Sequence, residues 1–290
     1  MTSKIFLLIL IIVTRFGAGP VRADSPVWRI DKGGNHLFIG GTIHLLSASD
    51  YPLPSAFQRT YKQAAKIVLE ADIQKMQRPD YQQNLLRQLS YLHGQKLTEV
   101  LSPATFQSLQ SYCASNGIAL EAMLGFKPGM IVMVLTLSEL KRLGQTGTGV
   151  DEFFLKMAVK DQKPLGYLET VEQQLAFISD MGAGQEDDLI RYTLDEMEQL
   201  PGMLQSIKTA WRQGDLDQLE KISATPFKQE FPAIHDAILD ARNNDWMPQI
   251  ESMFLSREVE FILVGALHLA GESGLIAQLQ QRGYRVKKLE

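Results

Sequence analysis

The chain has 290 residues, 45% of them hydrophobic, and a formal net charge of −4. That is ordinary globular composition, enough for one large domain or two small ones, and it carries no basic stripe to neutralise phosphates, which argues against nucleic-acid binding. The only cysteine, Cys113, cannot close an internal disulfide, so core burial must supply the stability; the residue reads as a small apolar side chain in a helix.

The first 23 residues set the expected compartment. Lys4 supplies a positive start, Ile5 to Val13 are continuously apolar, and Val21-Arg22-Ala23 places compact side chains at −3 and −1 of a cleavage site. The apolar run falls short of the roughly 20 residues a spanning helix needs, and no cysteine follows it for a lipid anchor. A signal peptide over 1–23 is therefore expected, with a mature chain of 24–290 that is periplasmic or secreted and not stably inserted in a membrane. Losing Lys4, Arg15 and Arg22 takes the net charge to −7.

A strand over His36–His44 is predicted after the turn pair Gly33-Gly34, then a helix over Pro54–Ala65 and a strand over Lys66–Asp72. Helical spacing of apolar residues follows over Tyr81–Leu92, Pro103–Ser115 and Pro128–Leu143, with Ser102 as N-cap and Pro103 at the first helical position. A shorter strand, Lys163–Glu169, carries Pro164. Helices over Val171–Met181 and Gln185–Trp211 come next, the second broken at Pro201-Gly202, and then Phe231–Met253. Glu260–His268 has the β-branched and aromatic bias of a strand; a helix over Gly274–Arg282 and a last strand over Tyr284–Leu289 close the chain. Strand-rich ends enclosing a helix-rich middle predict one α/β domain, a mixed central sheet with flanking helices and a helical insertion.

Two strands end in the same pattern, Gly41-Thr-Ile-His44 and Gly265-Ala-Leu-His268. Glycines let the backbone approach a neighbour closely, and a histidine just past an apolar run is placed to face a crevice. Carboxylates follow two other strands, Glu70 with Asp72 and Glu169. Two histidines with one or two carboxylates form a nitrogen and oxygen set suited to Zn, Mn, Co or Fe. The plainer alternatives are histidines that cap backbone groups, a solvated loop at Glu70 and Asp72, and a helix start at Glu169. His36, His93 and His235 are expected at the surface or in caps, and Met123, Met130 and Met133 in helix packing. Glu186-Asp187-Asp188 fits a helix N-terminus. The sequence contains no Gly-x-Ser-x-Gly elbow, P-loop or His-Glu-x-x-His.

The segments Gly40–His44, Val68–Asp72, Gly149-Val-Asp-Glu-Phe-Phe154, Leu168–Gln173, Gly214–Leu219, Ala241-Arg-Asn243 and Val264–Gly271 stand in an order that resembles the TraB/GumN family, whose wider clan includes TIKI metalloproteases, pheromone-shutdown proteins, haem-binding proteins and erythromycin esterases. The resemblance runs from about Val27 to Leu289. It implies a divalent metal, Mn, Co or Zn, held by His44, Glu70 and His268. Glu169 and Arg242 also fall in family motifs, the first as a candidate general base and the second as an oxyanion stabiliser. The implied activity is metal-dependent hydrolysis of a peptide or small-molecule substrate. The alternatives are a metal-independent esterase-like hydrolase, or a non-enzymatic haem- or peptide-binding or inhibitory protein.

Overall fold

The computed structural model describes residues 25–76 and 78–290; the signal segment expected over 1–23 lies outside them. Strand β1 (Val27–Lys32), not foreseen from the sequence, pairs antiparallel with β2 (Asn35–Thr42). The two-residue loop Gly33-Gly34 has φ of +61° and +88°, a conformation open to glycine at both positions and matched to the twist of a hairpin. Strand β3 (Leu45–Leu46) leaves the sheet and pairs with β5 (Gly147–Thr148). The main sheet is completed by β4 (Lys66–Leu69), β6 (Leu165–Tyr167), β7 (Glu260–Gly265) and β8 (Arg285–Lys288), in the order β6-β4-β7-β2-β1-β8. The first four strands in that order are parallel; β1 runs antiparallel to them, and β8, antiparallel to β1, runs in their direction.

Side chains alternate across the parallel strands and feed two cores. Phe38, Ile67, Leu69, Phe261 and Leu263 pack under the helices Ser55–Gln63 and Val150–Lys160. Leu37, Ile39, Val68, Ile262 and Val264 face the helices Ala241–Met253 and Leu275–Gln281. A separate core of Leu109, Cys113, Ile131, Leu135 and Ile190 holds together the expected helical insertion, and Cys113 is buried there as a small apolar residue. Among the described residues, no helix is long and apolar enough to cross a membrane.

Several boundaries differ from expectation. The predicted break at Pro201-Gly202 is absent: one helix runs over Glu186–Gln213 with Pro201 inside it. Its two ends are anchored in different cores, Ile190 and Leu194 in the insertion and Trp211 against the sheet, where Trp211 Nε1 donates to Gly41 O at 2.9 Å. Packing at both ends outweighs the hydrogen bond lost at an exposed proline. Strands end sooner than expected, at Thr42, Leu69, Tyr167 and Gly265, which leaves the candidate site residues in the loops beyond. His235, expected at the surface or in a cap, is buried, because it lies on the inward face of the turn leading into Ala241–Met253.

Candidate functional site

Parallel strands align their carboxyl ends at one edge, where backbone diverges into loops and leaves room for a ligand. Each of the four parallel strands delivers one candidate residue there: β6 leads to Glu169, β4 to Glu70, β7 to His268 and β2 to His44. Because β4, β7 and β2 are neighbours, Glu70, His268 and His44 meet although they come from opposite ends of the chain. Gly265 marks the meeting point. A Cβ built on it would lie 3.4 Å from Glu70 Oε1, 3.6 Å from His268 Cδ2 and 3.9 Å from His44 Nε2.

Arg242, from the first turn of Ala241–Met253, ties the carboxylates to His268. Its Nε donates to Glu169 Oε2 at 3.0 Å, and Nη2 donates to Glu169 Oε1 at 2.6 Å and to Glu70 Oε2 at 2.8 Å. Nη1 donates to Ile238 O and to His268 Nε2, both at 3.0 Å. All five guanidinium hydrogens are thereby engaged within the protein. The guanidinium has no lone pair, so His268 Nε2 must be the acceptor and Nδ1 carries the proton, donating to Asn243 Oδ1 at 2.8 Å. Trp246, one helical turn beyond Arg242, packs against both: its ring is 4.7 Å from the guanidinium carbon and, tilted by 42°, 4.4 Å from the His268 ring centre. Its Nε1 also donates to Glu169 Oε2 at 3.2 Å.

This tight packing sets the charges. Burial pulls the pKa of His268 down to about 3, in spite of Glu70, so the ring is neutral near pH 7. Burial also pushes against ionisation of Glu70, but His268, Arg242 and His44, with the Gly265 N–H donating to Oε1 at 2.6 Å, take it down to about 2. Burial works against charge on Arg242 and Glu169 alike and pushes the Glu169 carboxyl up. Arg242 is nonetheless held above its usual value by Glu169 and Glu70, and the two-point contact favours the ionised pair.

His44 differs from the rest. Its side chain is 67% exposed, and its Nδ1 lies 3.2 Å from Asp151 Oδ2. Asp151 sits in the first turn of Val150–Lys160, whose start is pinned to the His44 loop by Val150 N–H donating to Ile43 O at 3.0 Å. A Cβ on Gly149 would fall 2.2 Å from His44 O, so only glycine allows this approach. Desolvation by the cleft walls disfavours the imidazolium, but Asp151, with Glu70 behind it, raises the pKa to about 9.

The five expected residues thus share one site, whereas Asp72 lies apart and caps the next turn, accepting from Lys75 N at 3.2 Å. Asp151, Asn243 and Trp246 received no role from the sequence, although the first two lie within Gly149–Phe154 and Ala241–Asn243. As arranged, the side chains do not fit a bound divalent metal. His268 Nε2 and Glu70 Oε2 both face the Arg242 guanidinium, which fills the place of a cation, and Glu70 Oε1 faces the Gly265 N–H. Among the described residues, no three His, Cys, Asp or Glu side chains converge closely enough to hold a metal ion.

Residues 26–288 match the family model described as TraB/PrgY/gumN family. Among curated proteins, the chain is 28% identical over 254 residues to the uncharacterized protein YbaP of Escherichia coli, covering 86% of this chain and 89% of that one. The YbaP of Shigella flexneri matches to the same extent. No solved structure matches the chain.

Proposed function

Since the chain belongs to the TraB/PrgY/gumN family, we propose that it is a hydrolase of acyl bonds, in a peptide or small-molecule substrate, with His44 as general base. The observation that carries this reading is the His44–Asp151 pair at 3.2 Å, with the ring open to solvent and Nε2 directed over Gly265. Above its pKa of about 9, where the ring is neutral, an Nδ1–H held by a carboxylate leaves the Nε2 lone pair facing the cleft, so the hydrolysis should rise with pH towards 9. Water bound over Gly265 would give its proton to Nε2 as its oxygen attacks the acyl carbon, and the same proton would pass to the departing oxygen or nitrogen. Glu70, Glu169, Arg242 and His268 are positioning residues in this scheme. Glu169 has both oxygens engaged and Arg242 has no unused donor, so the base is assigned to His44, and an oxyanion role for Arg242 would require one of its contacts to open.

One distance favours a second, metal-centred reading: Glu70 Oε1 and His268 Nε2 are 3.9 Å apart, a spacing two ligands of one ion could adopt if Arg242 swung away. The test is hydrolysis of a nitrophenyl ester and a mixed peptide library by protein purified without chelators, with metal content measured on the same sample. His44→Ala should lower the rate by about 10²–10⁴-fold, with no dependence on chelator. Full activity in His44→Ala would refute the histidine base, and activity that follows one bound metal per chain would favour the second reading. A haem Soret band without hydrolysis would instead indicate a binding protein. Export is part of the proposal: the mature chain should begin at Asp24 by mass spectrometry, and full-length protein starting at Met1 in a periplasmic fraction would refute it.

A further inference from the structure

The short ladder that carries His44 and Asp151 is held from behind by a second buried cluster. β3 starts at the residue after His44, and β5 ends at Thr148, just before the helix that bears Asp151. The two strands share only the pairs Leu45–Thr148 and Leu46–Gly147. A ribbon that short does not hold its shape alone in water. Its supports are side chains. At the end nearer His44, Tyr51 Oη donates to Thr148 O at 2.8 Å. At the other end, Lys208 projects from the long helix Glu186–Gln213, its side chain 10% exposed.

Lys208 Nζ meets three acceptors, one for each of its hydrogens. Asp50 Oδ2 lies at 2.5 Å, Ser47 Oγ at 3.2 Å and Gln145 Oε1 at 3.2 Å. Ser47 follows β3 and Gln145 precedes β5, so the ammonium bridges the two strands. Asp50 folds the loop back, accepting from the Ser47 N–H at 2.7 Å and the Ser47 hydroxyl at 2.6 Å. Burial works against the Asp50 carboxylate, but Lys208 and Ser47 hold its pKa below the ordinary value, so the pair is ionised. Removing one member of such a pair leaves the other charge uncompensated, and the loop must move to rehydrate it. Gln145 also ends the helical insertion, its N–H donating to Leu140 O at 2.9 Å, so the same ammonium ties the insertion to the ladder. One helical turn on, Trp211 Nε1 reaches Gly41 O before the ladder, and Arg212 Nη1 donates to Asp50 O at 2.7 Å after it. We propose that Lys208 is a positioning residue, which locks the β3–β5 ladder and thereby holds His44 against Asp151. Its consequence for turnover rests on the proposed role of His44 as base. The imidazole is largely open to solvent, so its place is set by the backbone of the ladder, and a displacement of about 1 Å can cost about a hundredfold in rate.

Amide hydrogen exchange of the mature protein, read by NMR, tests the clamp without any substrate. The probe is the Val150 N–H, bonded to Ile43 O at 3.0 Å, and the Ile262 N–H in the centre of the sheet is the reference for global opening. In Lys208→Met, exchange at Val150 relative to Ile262 should be at least about tenfold faster than in the parent. Gln145→Ala removes one arm of the clamp with no change of charge, so it should fold even if Lys208→Met does not, and it should show the same local effect to a smaller degree. With a nitrophenyl ester, both variants should lose kcat while KM holds. Equal acceleration at Val150 and Ile262 would mark a lysine that merely stabilises the fold and would overturn the proposal. So would unchanged exchange at Val150, or a raised KM with kcat intact. A parent protein that hydrolyses nothing would remove the base reading of His44, and the exchange comparison would still decide the clamp.

Discussion

Replacing Arg242 by alanine tests how the site is held. The substitution leaves Glu70 and Glu169, with side chains 11% and 4% exposed, facing each other without their shared cation, and it removes the donor to His268 Nε2. Losing one partner of a buried ion pair costs about 3–5 kcal/mol, a large part of the roughly 5–15 kcal/mol that stabilises a domain. Glu70 gives an independent figure. A carboxyl taken from 4.5 to about 2 contributes at most about 3 kcal/mol at neutral pH, where Arg242, His44 and the Gly265 N–H act on it and the neutral His268 adds no charge. The sign fixes the pH window. A depressed carboxyl stabilises the fold above pH 4.5, and that stability is lost as pH falls through 2. The deficit of Arg242→Ala should therefore be full at pH 5–7 and smaller at pH 3, by at most the roughly 2 kcal/mol that the whole Glu70 shift loses over that range. Urea unfolding followed by tryptophan fluorescence and circular dichroism at both pH values measures it. A deficit below about 1 kcal/mol at pH 7, or one equal at pH 7 and pH 3, would refute the account of Arg242 as the charge that holds both glutamates.

Two further outcomes follow from the open half of the site. Asp151→Asn removes the main group that raises His44, so its pKa should fall from about 9 towards the ordinary 6.5, read by NMR titration of the ring. If His44 is the base, the rising limb of the pH–rate profile should move to lower pH by the same amount; an unmoved limb would exclude His44. Gly265→Ala adds a methyl at ordinary contact distance from Glu70, His268 and His44, and the backbone there, at φ −50°, admits alanine. The melting temperature should hold while turnover drops by at least about tenfold, because the methyl fills the floor where water would sit; unchanged turnover would mean that the reacting group binds elsewhere.

How much could be read beforehand depended on the kind of signal. The apolar runs of β2, β4 and β7 are buried on both faces and stand out in the sequence, and the residues just beyond them proved to share the site. β1 escaped notice because Arg29, Asp31 and Lys32 interrupt its apolar positions; it gains its identity from pairing with β2 and β8. Pro201 misled because a local breaker says nothing about anchors at both ends of a helix. Asp151 has the look of a first-turn acid, favourable to a helix wherever it points, and only the approach of Gly149 to His44 O turns it towards the imidazole. The saturation of Arg242 was likewise hidden, since a count of donors needs all their partners in place.

The position of β7 has a consequence for how the protein is made. β7 is the last of the parallel strands in the sequence yet lies between β4 and β2, with Phe261 beside Phe38 on one side and Ile67 on the other. Until that segment emerges, the hairpin at the beginning of the chain and the β4–β6 pair have no shared edge, and Glu70 and Glu169 have no His268 beside them. A nascent chain stopped before residue 260 therefore holds two separate pieces of sheet with exposed apolar edges, and closing them must wait for the helical stretch between β6 and β7 to be made. Vectorial synthesis delays the keystone almost to the end, so premature stop codons anywhere before codon 260 should yield aggregation or degradation, not a shorter folded protein.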